Sequence, residues 1–249
     1  MNTSRQPELS VVVPVHNERD NIVPLIEEVH AALEGREFEV VYVDDRSTDD
    51  SWAVLTAAQQ RFPRLRALRH TRQSGQSTAV RSGVRDARAD WIATLDGDGQ
   101  NDPANIPTLL AERDKADPKV RLFAGWRVDR HDHFIRRLSS SVANGVRGWL
   151  LGDQTPDSGC GLKLFPRQLF LDLPYFDHMH RFLPALVRRT GYGVLSVPVG
   201  HRPRTRGSSK YGVWNRLWVG IVDIAGVAWL KRRGKVTEVE EQHREPPAV

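Results

Sequence analysis

Three short apolar runs, Leu9 to Val15, Phe38 to Val43 and Trp91 to Leu95, each stop at a turn rich in carboxylates, and a segment with helical spacing follows each one. Runs such as Val11-Val12-Val13 read as strands covered on both faces. After the first, Ile22, Leu25, Ile26, Val29 and Leu33 recur at helical spacing. Pro14 is expected to end that strand, Asn17 to Asp20 to cap the helix, and Gly35 to stop it. Further helices are expected over about Ser51 to Arg61, Ser74 to Ala87 and after Pro103, with strands at Leu65 to Leu68 and Val120 to Gly125. Gly75, Ala79 and Gly83, four apart, allow one helix to lie close on the sheet. Strands alternating with helices of this length predict βαβ units: an α/β fold with a Rossmann-like, mostly parallel sheet flanked by helices.

The second half is less regular. His133 to Leu151 and Phe182 to Arg189 read as helices, Asp153 to Lys163 as a loop, and Val194 to Val199 as a strand. With 249 residues the chain can hold one large domain and an appendage. Its hydrophobic content of 39% and charged content of 27% suit a globular protein. Met1 to Ser10 is polar, so no secretory leader is expected. Cys160 is the only cysteine. It can form no intrachain disulfide, fits a reducing compartment, and is expected as a small buried residue rather than a nucleophile.

The chemistry points to the end of the Trp91-to-Leu95 run. In Thr94-Leu95-Asp96-Gly97-Asp98-Gly99-Gln100, two carboxylates lie one residue apart at a strand end. Alternate residues of extended chain point the same way, so Asp96 and Asp98 can converge on one point. Oxygen ligands suit a hard cation such as Mg²⁺ or Mn²⁺, which could carry a nucleotide diphosphate. An acidic pair in such a place also serves as a turn or a cap, and Asp102-Pro103 reads as a helix start.

Five segments then carry a resemblance. Val13 to Glu18, Val43 to Asp49 and Asp96 to Gln100, followed by Asp157 to Lys163 and Arg204 to Tyr211, resemble in order and spacing the family 2 glycosyltransferases of GT-A fold. The last two look like the polyprenyl-phosphate branch typified by dolichol-phosphate mannose synthase. The resemblance covers Leu9 to Tyr211 and implies an inverting transfer of a sugar from a UDP- or GDP-linked donor to a polyprenyl phosphate. It implies that Pro14, His16, Glu18, Val43, Asp45, Asp96 and Gly97 hold the nucleotide, with Asp96, Asp98 and Gln100 on the metal. Arg127, Arg136 and Ser140 match positions that hold the acceptor phosphate, and Arg204 and Lys210 match a segment bridging donor and acceptor phosphates. Asp98, Arg204 and Lys210 are therefore the expected catalytic residues. Asp49 is expected as a helix cap. The chain departs from the pattern at His16, where Tyr is common, at Arg46, where a small or polar residue is frequent, and at His201-Arg202-Pro203. It also lacks the two long C-terminal transmembrane helices of many bacterial relatives.

Charge is placed unevenly. Gly200 to Lys235 holds nine Lys/Arg against one acid, Asp223. Such a patch suits an anionic partner. Val213 to Leu230, about 27 Å as a helix, contains Arg216 and Asp223, which make spanning a bilayer costly. Trp214, Trp218 and Trp229, with Lys231-Arg232-Arg233 beyond, favour a place at a membrane surface or on a membrane subunit over a helix buried in the domain. The expected organisation is a GT-A domain over 1–212, an amphipathic helix over 213–231 and a polar tail over 232–249. The expected location is cytoplasmic, peripheral on the inner face of the cytoplasmic membrane. Three readings compete: transfer to a glycan hydroxyl with Asp157 as base, a nucleotidyltransferase, and a basic nucleic-acid- or lipid-binding module. No nucleic-acid motif supports nucleic acid as a partner.

Overall fold

A computed structural model describes residues 6–128, 148, 151–152, 155–202 and 213–235, with side chains from 220 onward in the last stretch. The first half alternates: β1 (Leu9–Val15), α1 (Arg19–Ala32), β2 (Phe38–Asp44), α2 (Ser51–Arg61), β3 (Leu65–Arg69), α3 (Gln76–Asp86) and β4 (Trp91–Thr94). A 3₁₀ turn at Pro103–Asn105 leads into α4 (Ile106–Lys115), then β5 (Val120–Arg127). The second half holds β6 (Lys163–Pro166), α5 (Arg167–Asp172), α6 (Leu183–Arg189), β7 (Gly193–Val199) and α7 (Val213–Arg233).

The seven strands form one sheet in the order β3-β2-β1-β4-β6-β5-β7. All pairs are parallel except those of β6, which runs antiparallel to both β4 and β5. Alternate residues of the central strands feed two cores. Val11, Val13, Val40 and Tyr42 pack with α1, α2 and α4, while Val12, Val41 and Val43 pack with α3, α5, α6 and Val227 of α7. Burial on both faces explains why these strands read as unbroken apolar runs. Each fully buried Ile or Val contributes about 1.5–3 kcal/mol of apolar transfer. Gly83 lets α3 sit on the sheet, since a Cβ there would meet Val12 and Val43 side chains.

The structure differs from expectation at several points. Pro14 lies inside β1, not at its end. Even-numbered residues of β1 turn their backbone groups toward β4, shown by Leu95 N–H donating to Val12 C=O. The β4 ladder stops at the Val12–Thr94 pair, so the N–H that proline lacks has no partner to lose there. Asn17 does not cap α1. It has a left-handed φ of 57°, and its side chain stitches the first loop to the second. Strand β6 and helix α5 fall where the sequence showed a loop end and no element, and Lys163 opens β6. Strand β5 runs on to Arg127. The helix expected over His133 to Leu151 falls almost wholly outside the described residues.

Helix α7 extends to Arg233, two residues beyond the expected boundary, so the polar tail begins later. One face is fastened to the domain. Val227 is buried, Asp223 lies 3.2 Å from His178, Arg189 donates to Leu230 C=O, and Lys231 donates to Leu151 C=O. The opposite face exposes Ile221, Val222 and Trp229, with Arg232, Arg233 and Lys235 exposed at its end. Among the described residues no helix is long and apolar enough to cross a membrane.

Candidate functional site

Strand order reverses at β1, which has β2 on one side and β4 on the other. The carboxyl ends of these strands therefore open a crevice, and three of the expected motifs meet there. The first two loops are locked together by short polar side chains. Asn17 N–H donates to Ser47 Oγ, and Asn17 Oδ1 accepts from the N–H of Thr48 and of Asp49. Glu18 N–H donates to Ser51 Oγ. Asp49 accepts from Ser51 N–H at 3.0 Å, but the N-cap of α2 is Asp50, so Asp49 braces the turn before the helix rather than standing at its cap.

Asp45 is buried and its carboxylate works inside the protein. Oδ1 accepts from Ser74 N–H at 2.8 Å and lies 2.7 Å from His70 Nδ1, and Oδ2 accepts from Gly75 N–H at 2.8 Å. A nucleotide base reaching Asp45 would share an oxygen that already holds the start of α3. The His16 ring nitrogen Nδ1 lies 3.0 Å from Asp45 C=O. Pro14 and Val43 are register partners on β1 and β2 beneath these loops. Arg46 is exposed and takes a left-handed φ of 61°, costing about 1 kcal/mol where glycine would cost little.

Asp96 and Asp98 follow β4, both partly buried. Burial first, and the charge of Asp98 second, push the Asp96 carboxyl up to about 6, against the pull of Lys163, Arg127 and Gln76. A buried carboxylate beside a second one is what a divalent cation relieves, and an all-oxygen pair fits Mg²⁺ or Mn²⁺. Among the described residues no group of three His, Cys, Asp or Glu forms a cage. A cation here would draw its remaining ligands from substrate phosphate and water, as these ions commonly do. Asp98 Oδ1 accepts from Gln100 N–H at 3.1 Å, which fixes the turn bearing the third expected ligand. Gly97 has no room for a side chain, because a Cβ would lie 2.8 Å from Pro14 C=O.

Behind Asp96 lies the Asp157-to-Lys163 loop. A Cβ on Gly161 would collide with the Asp96 carboxylate, and Thr94 Oγ1 donates to Gly161 C=O at 2.7 Å. Arg127 forks onto Asp157, Nε to Oδ2 at 2.5 Å and Nη2 to Oδ1 at 2.9 Å. Asp157, the candidate base for a hydroxyl acceptor, is thereby committed to a guanidinium. Lys163 is buried, donates to Cys160 C=O, and is held below the usual lysine range by burial. Cys160 is buried too, and burial pushes its thiol up, away from nucleophile chemistry.

The basic segment enters the site from the far edge. Asn101 and His201 form an antiparallel bridge, and Arg202 N–H donates to Gln100 C=O at 3.1 Å. Arg202 ion-pairs with Glu28 and Asp102, both at 2.8 Å. His201 and Arg202 are thus tied to the carboxylate loop. Arg136, Ser140, Arg204 and Lys210 themselves lie outside the described residues. Gln76, Asn101 and Lys163 also surround Asp96, without a role expected from the sequence. Gln76 Nε2 donates to Asp96 Oδ1 at 2.8 Å, and Asn101 Oδ1 accepts from Asp96 N–H at 3.2 Å. Only Lys163 had a signal, its place in the fourth motif.

The family model for glycosyl transferase family 2 matches residues 10–173. The dodecaprenyl-phosphate galacturonate synthase of Rhizobium johnstonii is 36% identical over 234 residues, 90% of this chain and 68% of that protein. The undecaprenyl-phosphate 4-deoxy-4-formamido-L-arabinose transferase of Edwardsiella ictaluri is 34% identical over 208 residues, 82% of this chain and 63% of its own length. Among solved structures, glucosyl-3-phosphoglycerate synthase from Mycobacterium tuberculosis, with Mn²⁺, UDP and glucosyl-3-phosphoglycerate, superposes with a TM-score of 0.69 at 17% identity, covering 90% of this chain and 80% of that one. A Pyrobaculum calidifontis mannosyltransferase, with GDP-mannose and Mn²⁺, superposes with a TM-score of 0.61 at 20% identity, covering 93% and 66%. These structures share the GT-A fold with this chain. By its matched residues and its identity to these relatives, the chain belongs to glycosyl transferase family 2.

Proposed function

We propose that the chain moves a sugar from a nucleotide-sugar donor to a polyprenyl phosphate, with inversion at the anomeric carbon. Asp96 and Asp98 at the carboxyl edge, with Arg127 entering the same site from β5, carry this reading. Both relatives named above are polyprenyl-phosphate transferases. The donor lies across the first two loops, along Pro14, His16, Glu18, Val43, Asp45 and Gly97, with either uracil or guanine as base. Asp96, Asp98 and Gln100 would hold a Mg²⁺ or Mn²⁺, which would neutralise charge on the leaving diphosphate.

The acceptor phosphate oxygen attacks the anomeric carbon from the face opposite the diphosphate. The new carbon–oxygen bond forms as the bond to the diphosphate breaks, and its electron pair leaves with the nucleoside diphosphate. The attacking phosphate is already ionised at neutral pH, so this step needs no strong base. It needs orientation and positive charge. Arg127 supplies a planar fork, with Arg136 and Ser140 beside it in the family pattern and Arg204 and Lys210 bridging the two phosphates. The exposed Ile221, Val222 and Trp229 stripe, ended by Arg232, Arg233 and Lys235, supports a place for α7 on the cytoplasmic surface of an anionic membrane, beside the lipid acceptor.

The test is a transfer assay with Mn²⁺ or Mg²⁺, undecaprenyl phosphate and a panel of UDP- and GDP-sugars. Metal-dependent formation of labelled glycolipid with one donor is expected. Transfer to a glycan hydroxyl, or donor hydrolysis alone, would overturn the lipid acceptor. Flotation with phosphatidylglycerol-containing liposomes checks α7 separately: Trp229→Glu should cut binding, and a wild-type protein that never floats would overturn the membrane contact.

A further inference from the structure

Three motifs far apart in sequence are joined by a continuous run of contacts at the start of α3. Asp45, at the end of β2, accepts the N–H of Ser74 and of Gly75, each at 2.8 Å. Gly75 takes φ +87°, a backbone state that favours glycine, and a Cβ there would press on Asp177 Oδ1 at 3.3 Å. Gln76 follows as the first residue of α3, and its amide donates to Asp96 Oδ1 at 2.8 Å. Asp96 is closed in from behind by Gly161, where a Cβ would overlap the carboxylate, and its N–H is held by Asn101. The carboxylate is therefore gripped on one oxygen by an amide and backed by bare backbone.

We infer that Gln76 is a positioning residue for Asp96, and that Asp45 sets Gln76 through the Ser74–Gly75 backbone. This rests on the proposed metal and donor site. An N–H donor on Oδ1, with the Gly161 backbone against the other side of the group, fixes the rotation of the carboxyl group that would meet a cation. Partners of this kind, one bond removed from a metal, typically govern 10–100-fold in metal affinity. Gln76 itself is exposed, so it contributes little to the packed core. The same run of contacts makes the loop beside the nucleotide and the carboxylate beside the diphosphate move as one unit.

The test is Mn²⁺ titration of the full chain with saturating UDP or GDP, read by calorimetry and by the free Mn²⁺ electron paramagnetic resonance signal. Gln76→Ala should weaken Mn²⁺ binding about ten-fold while Tm stays within about 1–2 °C of wild type. Asp45→Asn should also weaken it, but should add little in the Gln76→Ala background, because both act on one carboxylate. Wild-type Mn²⁺ affinity in Gln76→Ala would overturn the inference while leaving the proposed function standing, and so would fully additive effects overturn the Asp45 link. A wild-type chain that takes up no Mn²⁺ with either nucleotide would overturn both.

Discussion

The proposed donor and acceptor edges of the crevice are built from different bonds. On the donor edge, short carboxylates and amides grip backbone N–H groups: Asp45 on Ser74 and Gly75, Asn17 on Thr48 and Asp49, Asp98 on Gln100. On the acceptor edge, long cations pair with acids: Arg127 with Asp157, and Arg202 with Glu28 and Asp102. A short side chain on a backbone donor has few rotamers to lose, so the donor edge is set before substrate arrives. The Arg202 pairs are part-exposed and each contribute on the order of 0–1 kcal/mol. Arg127 and Asp157 are more deeply buried. An arriving phosphate must share that guanidinium with Asp157, so acceptor binding competes with an internal partner.

Mutations on each side should break this contrast in different ways. The largest effect is expected from Asp98→Ala on the donor edge. Losing one of the two carboxylates proposed to hold the cation should lower transfer by about 10³-fold, with circular dichroism and Tm nearly unchanged because Asp98 is only partly buried. Next is Gly161→Ala. It lies on the acceptor-side loop, yet its new methyl would displace the Asp96 carboxylate. Misplacement of that order should cost about 10²-fold in transfer, and Mn²⁺ affinity should fall with it. If Gly161→Ala instead changed only acceptor KM, the two edges would be independent. Asp157→Asn comes third. It strips the charge partner from a buried Arg127, and should destabilise the fold by about 2–3 kcal/mol, or roughly 4–10 °C in Tm. The same change frees the guanidinium, so acceptor KM should fall or hold while stability drops.

The halves also differ in how much their sequences disclose. In the first half every strand and helix is signalled, because buried parallel strands are apolar runs and each helix keeps its own period. Its carboxylate pair announces itself as Asp96-Gly97-Asp98. Strand β6 is not announced: four residues, Lys163 to Pro166, begin with a lysine and hold proline at their end. Its place between β4 and β5 is set by tertiary pairing, which no local pattern carries. Gln76 was hidden for a similar reason. A glutamine at a helix start is ordinary in sequence, and only folding brings it 2.8 Å from an aspartate twenty positions on. Asp45 was visible as an acid near a nucleotide, but its grip on Ser74 and Gly75 depends on how β2 and α3 meet.

The smallest expected effect separates the edges by pH. Burial and Asp98 raise Asp96 to about 6 in the metal-free protein, from an ordinary 3.8. The folded value lies above the unfolded one, so protonation favours the metal-free fold. That stability is fully present below about pH 4 and is lost as pH rises through about 6. Cation binding has the opposite sign, since it needs the carboxylate: affinity should fall about ten-fold from pH 7 to pH 5 as the proton returns. Mn²⁺ uptake near pH 6 should therefore release protons, measured as a dependence of calorimetric heat on buffer ionisation enthalpy. Asp96→Asn should remove that proton release beyond what the nucleotide alone gives. Asp157 holds Arg127 above the usual guanidinium range even though burial pulls it down, so the acceptor edge keeps its charge across the same window. A pH profile of Mn²⁺ affinity identical in Asp96→Asn and wild type would place the titrating group elsewhere, and would remove the electrostatic half of the contrast between the two edges.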